Sequence, residues 1–321
     1  MGDAPRESSL LTKRSDAMSA LVVASHAAFA LAPVYIACVA GIGWWLAPLT
    51  LWFGAGMNSM LLLMHECSHY HVFKSKGACT ALGRWLLGPM ALADFESYRQ
   101  RHWEHHRSLG TDVDPKYVYH TSIRGWKLPM LFIKCLVLFE PAQRFTANLR
   151  GGNTKAAGSE FSSPEPADTR WVGRAILFHV LLTASLAGVT LAWREGNPVR
   201  VVAEAAIAYG IVYLYGLAAV TVFFASLRAI AEHQIGGDNA PHQNDAALRN
   251  FRVNLFTRWL FGAYGFADHY THHMKPAIPY YRLSRATEEM AEKEPALAPT
   301  TSYLRTLRML AATGAGAAKS E

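Results

Sequence analysis

Apolar residues gather in four long runs along this chain. The first runs from about Ala20 to Ala40 and the second from about Trp44 to Met64. The third covers Trp171 to Trp193 and the fourth Val199 to Leu227. A helix needs about 20 residues to cross the hydrocarbon core of a bilayer, so each run predicts a membrane span. Glu204 and His179 are the ionisable groups inside the runs, with His26 and Arg174 near the ends. Two shorter apolar stretches, Leu82–Ala93 and Trp126–Phe139, carry Arg or Lys and are too short to cross; they predict helices lying in the interface. The expected fold is therefore all-α and membrane-embedded. It has four spans in two hairpins, interfacial helices, and a helical cap built from the remaining segments.

Composition supports that reading. Only 17% of the 321 residues are charged, against roughly 25% in soluble domains. The hairpin turns fall near Gly41 and Gly43 and at Arg194–Arg200. If both turns face outward, 29 of the 31 Lys and Arg residues stay on the cytoplasmic side, since only Arg194 and Arg200 lie outside. The expectation is a multi-pass protein with its chemistry on the cytoplasmic face, in the cell inner membrane if the source is bacterial. Residues 1–18 form a polar tail, and the first apolar run is too long for a signal-peptide core, so it is expected to remain as an anchor. The main domain is expected over 19–310, with a mobile Gly/Ser/Ala-rich loop at Gly151–Ser163 and a disordered tail at 311–321. There is no internal repeat beyond the two hairpins. The net charge of +7 suits anionic headgroups or an acidic redox partner. No dense basic and aromatic strip points to nucleic acid. Cys38, Cys67, Cys79 and Cys135 show no CxxC spacing and read as reduced, structural thiols.

Chemistry enters with histidine. HECSH supplies His65 and His69, HWEHH supplies His102, His105 and His106, and HYTHH supplies His269, His272 and His273. His233 follows the fourth run in the sequence AEH. Residues three and four apart share a helix face, so each cluster can aim its rings at a common centre. Neutral imidazole is a good ligand for iron, zinc, copper and nickel. Eight or nine imidazoles exceed the four to six donors of one ion, which favours two metals. Any one cluster alone would mean little; the three together, with every cluster on the same predicted face, carry the argument. HECSH also fits the zinc-protease pattern HExxH, with Glu66 as general base. Glu66, Glu104, Asp112, Asp114, Glu232 and Asp268 are candidates to hold ligand rings in place, the alternative being solvated faces or caps. His71 lies off the face of its box, and His26, His120, His179 and His242 read as structural or exposed.

These clusters, in this order, resemble the membrane fatty acid desaturase family, whose boxes read HxxxH, HxxHH and HxxHH. The segment ESYRQRHWEHHRSLGTDVDP, with Asp114 and Pro115, resembles the surroundings of the second box. HYTHHMKPAIPYYRL resembles those of the third, and Ala231–His233 the extra histidine before it. The likeness covers roughly Met64 to Leu283. It implies a di-iron centre held by His65, His69, His102, His105, His106, His233, His269, His272 and His273, with O2 as co-substrate. Some relatives carry an Asn four residues before the extra histidine that helps hold a water; Ala229 stands there in this chain.

The implied reaction is O2-dependent desaturation of a long acyl or alkyl chain, because an unactivated methylene yields hydrogen only to an oxidant that side chains cannot supply. A hydroxylase on the same scaffold is the alternative, since the outcome turns on small differences in geometry. Metal analysis would separate a membrane zinc protease from it, and metal uptake in the absence of O2 and reductant would favour a metal transporter or sensor using the histidines as passing ligands. Electrons are expected from a separate ferredoxin-like or cytochrome-type donor. Trp44, Trp45, Trp52, Trp85 and Trp103 line a substrate channel or form the ordinary aromatic belt. Arg99, Arg101 and Lys116 are candidates to meet an acidic headgroup, the alternative being ordinary basic residues at an interface. Chain length, headgroup and double-bond position are not written in the sequence.

Overall fold

A computed structural model describes residues 15–111, 113–115, 123–139, 142, 169–233, 248–299 and 301–316. The expected N-terminal tail up to residue 14, the loop Gly151–Ser163, and His120, His242, Asp112 and Lys116 lie outside them.

Four helices are long and apolar enough to cross a membrane. Helix α1 spans Asp16–Ala40, α2 Leu46–Ser68, α6 Arg170–Trp193 and α7 Pro198–His233. Between them lie α3, α4 and α5. Helix α3 starts as Lys76–Leu82 and continues through a π-helical Gly83–Leu87 into Gly88–Met90. Helix α4 covers Phe95–Ser108 and α5 Lys127–Leu136. The cap contains α8 Leu255–Leu260, a 3-10 turn Ala263–Asp268, α9 His269–Met274, α10 Tyr280–Lys293 and α11 Tyr303–Gly316. Among the described residues the β-pairing is a single isolated bridge, Phe251 to Thr301.

Local chemistry sets the helix starts. Ser15 accepts the Met18 N–H to open α1, and Asp94 accepts the Ser97 N–H to open α4. Asn197 accepts from Val199 and Arg200 N–H, with Pro198 at the first helical position of α7. The two turns of the hairpins meet at one end, where the Arg194 guanidinium lies against Gly41. Arg194 and Arg200 both pair with Glu204, at 2.5 and 2.9 Å, which explains a carboxylate inside an apolar run. His179 is also accounted for. The Pro89 carbonyl can only accept, so Nε2–H donates to it at 3.2 Å and Nδ1 accepts from the Tyr209 hydroxyl at 2.7 Å.

Small residues let the spans approach closely. A Cβ on Gly54 would fall 2.4 Å from Val220, one on Gly216 2.9 Å from Phe53, and one on Gly56 3.0 Å from Ala30. With no hydrophobic drive between helices in lipid, such close backbone packing supplies the association. Outward faces stay apolar: Ile176, Leu177, Val180 and Leu181 of α6 are all exposed, a surface suited to lipid rather than water. Helix α5 buries Leu128, Leu131 and Cys135 while exposing Phe132 and Ile133, in keeping with its interfacial assignment. The stretch expected to lie in the interface, Leu82–Ala93, packs one face against the spans. Leu87 and Met90 are buried, and the Met90 carbonyl accepts from Tyr213 at 2.8 Å. Gly83 makes room, since a Cβ there would strike the Phe95 ring at 2.5 Å.

Helix α7 is 36 residues long. At 1.5 Å per residue it is about 54 Å, well beyond the roughly 30 Å of a hydrocarbon core. Its surplus turns carry Arg228, Glu232 and His233 past the apolar run. Helix α11 runs to Gly316, so the tail expected to be disordered from 311 begins as helix. Its Tyr303 and Leu310 are buried, and Ala311 and Ala312 favour continuation.

Candidate metal centre

Four elements bring the histidines together opposite the hairpin turns. His65 lies in the last turn of α2 and His69 caps it. His102, His105 and His106 lie along α4, and His233 ends α7. His269, His272 and His273 occupy the short helix α9. All nine are gathered in one compact cluster. His65, His69, His102, His106 and His272 offer nitrogens within 4.8 Å of one another, as do His105, His233 and His273. A further group joins Glu232, His233 and His269. Ring nitrogens face each other directly: His69 to His102 at 2.7 Å, His106 to His102 at 3.0 Å, and His272 to His106 at 3.2 Å.

Carboxylates and carbonyls fix which nitrogen faces inward. Glu66 Oε1 accepts from His65 Nδ1 at 3.0 Å, and Asp114 Oδ1 accepts from His105 Nδ1 at 2.8 Å. The Ala229 carbonyl accepts from His233 Nδ1 at 3.0 Å. Each acceptor demands a proton on Nδ1, which leaves Nε2 a lone pair. His105 Nε2 and His233 Nε2 then meet at 3.0 Å, lone pair against lone pair. A cation between them resolves that repulsion. His65 Nε2 and His273 Nε2 are buried with no hydrogen-bond partner among the described residues. The donor set is neutral, nitrogen-rich and inward-facing, and it fits transition-metal ions.

Protonation states suit ligation as well. Burial first, and then the neighbouring imidazoles, hold His69, His272 and His273 well below the usual histidine range, so these rings remain neutral. The sign of the resulting pH dependence follows. Below about 6.5, the ordinary imidazole value, the unfolded chain takes up protons that the folded cluster refuses, so stability falls as the pH drops. Thermal unfolding of the purified protein between pH 8 and pH 5 is expected to show the midpoint decreasing below that value; a midpoint flat to pH 5 would contradict it.

The third box depends on the cap. Tyr264 and Gly265 both have positive φ, 51° and 74°, and break the chain just before it. At Gly265 a Cβ would lie 2.7 Å from the Tyr280 carbonyl. Asn250 Oδ1 accepts the Thr271 N–H at 3.2 Å, and Thr271 Oγ1 meets Thr287 Oγ1 at 2.7 Å. Gly265→Ala is expected to destabilise the cap by about 1–3 kcal/mol and to lower the metal content of the purified chain. Unchanged metal content and melting would refute this role for the turn.

Of the carboxylates read from sequence, Glu66 and Asp114 hold ligand-type rings, and Glu232 lies 3.9 Å from His269 Nε2. Asp268 instead accepts from Ser284 at 2.8 Å, and Glu104 is exposed. His71, off the face of its box, donates to Glu66 Oε2 at 3.2 Å and stacks on His69 at 5.4 Å. Trp103 packs on His69, with ring centroids 4.8 Å apart, whereas Trp44 and Trp85 are exposed. Phe266, Arg228 and Tyr303 surround the cluster without any signal in local spacing. Phe266 lies 4.5 Å from His65 by centroid, and Arg228 stands 4.6 Å over the Phe266 ring.

Taken together, a bundle of four apolar helices closed at one end by a buried polyhistidine cluster that could hold metal defines a helical membrane protein of the metal-centre type. Residues 42–304 match the family model described as Fatty acid desaturase. The chain belongs to that family, whose members are enzymes of the oxidoreductase class acting in desaturation and hydroxylation-type chemistry. No curated protein matches the chain.

Proposed function

We propose that this chain is a di-iron enzyme that uses O2 and electrons from a separate ferredoxin-like or cytochrome-type donor to desaturate a long acyl or alkyl chain. The nine histidines His65, His69, His102, His105, His106, His233, His269, His272 and His273 are its metal ligands. The observation that carries the reading is the meeting of His105 Nε2 and His233 Nε2 at 3.0 Å, each with its other nitrogen committed to an acceptor. Family membership supplies the reaction class.

Two irons, when bound, supply the oxidising power that removal of hydrogen from a methylene requires. The chain's own residues position and shield. Glu66, Asp114 and the Ala229 carbonyl hold three rings in orientation, and such outer partners typically matter 10- to 100-fold. Burial of the cluster keeps water from a reactive centre. The apolar spans offer walls for an alkyl chain. The cytoplasmic side is assigned from charge: the two segments that join paired spans carry only Arg194 and Arg200 of the 31 Lys and Arg.

Lipid mass spectrometry after expression in a host lacking the enzyme tests the reading. A product lighter by two hydrogens is expected. A gain of one oxygen would move the assignment to hydroxylase, and unaltered lipids with an iron-loaded, reducible enzyme would count against both. The protease reading is tested separately. Glu66→Gln is expected to lower turnover by about 10- to 100-fold, less than His65→Ala; the reverse order would favour Glu66 as a general base.

A further inference from the structure

Three carboxylates approach the histidine cluster, and one approaches it differently. Glu66 and Asp114 meet His65 and His105 at Nδ1, the outward nitrogen, as ring holders do. Glu232 meets His269 at Nε2, 3.9 Å away. That same Nε2 faces His233 Nε2 at 3.0 Å, so it is the inward nitrogen. Glu232 thus stands on the side where an ion would sit, and its donor oxygen groups with the His233 and His269 nitrogens within 4.8 Å.

The histidines divide unevenly. Five imidazoles form one group, namely His65, His69, His102, His106 and His272. The remainder, His105, His233, His269 and His273, number four and interlock through His233. We propose that Glu232 is a metal ligand, the tenth donor of the centre, completing the second group with a carboxylate oxygen. This rests on the di-iron reading above.

Three further observations support it. Nine neutral imidazoles include no oxygen donor, and Glu232, fully buried, is a carboxylate within reach. Donors to one ion at about 2.0–2.2 Å lie roughly 3–4 Å apart, which the 3.9 Å separation satisfies. Arg228 donates to Oε2 at 2.6 Å and Tyr303 to Oε1 at 3.0 Å, which holds the carboxylate in this position. Ala229, one turn earlier, presents only a methyl group and supplies no competing donor.

The test loads the full-length protein in lipid nanodiscs with 57Fe(II), counts iron per chain and records Mössbauer spectra. Glu232→Gln preserves shape: its amide oxygen still accepts from Arg228, and its NH2 donates to the Tyr303 hydroxyl, which donates in turn to the Phe266 carbonyl. Arg228→Met/Glu232→Leu removes the ion pair as a unit, a replacement that buried pairs often tolerate. In each variant one iron is expected to remain with its doublet unchanged while the other is lost or its doublet shifts. Two irons with both doublets unchanged would overturn the proposal. So would loss of both irons from a chain of unaltered helical content, because a ligand of one site should not empty the other. Wild-type protein that takes up fewer than two irons would instead contradict the di-iron reading itself.

Discussion

His105→Ala is expected to abolish turnover while the protein still inserts and keeps its helical content. His105 is fully buried, with Nδ1 committed to Asp114 and Nε2 facing His233. Its ring centroid lies 4.9 Å from that of His273 and 5.9 Å from that of His106, so it stands next to both donor groups. Removing a group that only orients a ligand typically costs 10- to 100-fold; removing the imidazole itself should exceed about 100-fold. The side chain sits on α4 outside the four spans, so membrane insertion is not at stake. Activity within tenfold of wild type would exclude His105 as a ligand.

The second large effect falls on stability. Arg228→Met is expected to cost about 3–5 kcal/mol, because it strips the partner from a buried carboxylate. Arg228 and Glu232 are 7% and 0% exposed and pair at 2.6 Å. The loss spreads to the cap, since Tyr303 of α11 hydrogen-bonds the same carboxylate and the Phe266 carbonyl. Thermal unfolding in detergent should show a large drop in midpoint. A shift of only a degree or two would mean that the pair is more hydrated than its burial indicates.

Much of this architecture could be read directly because its signals are local. Long apolar runs announce α1, α2, α6 and α7, and i, i+4 spacing places His102 and His106 on one face of α4. The clustering of the boxes rests instead on contacts across the chain. His105 meets His233 across 128 positions, and His272 meets His106 across 166. No window of sequence holds such a pair; only the number of imidazoles and their common predicted face hinted at it. The cap was harder still. Asn250 supports Thr271, and Tyr264 and Gly265 break the chain with positive φ, yet none of these stands in a periodic pattern. The packing of Leu82–Ala93 against the bundle is not legible for a similar reason. Gly83 and Gly88 let Phe95 and its neighbours close over the segment, contacts that Arg84 and the apolar run do not announce. His71 looked idle by helical spacing because α2 ends before it, and the reversal at Tyr70, with φ 61°, returns it to Glu66.

The most direct measurement is the metal content of wild-type protein purified without added zinc and without chelator, by elemental analysis against amino-acid quantitation. About two irons per chain are expected. One zinc per chain, or a protein that stays metal-free when offered iron anaerobically, would contradict the account.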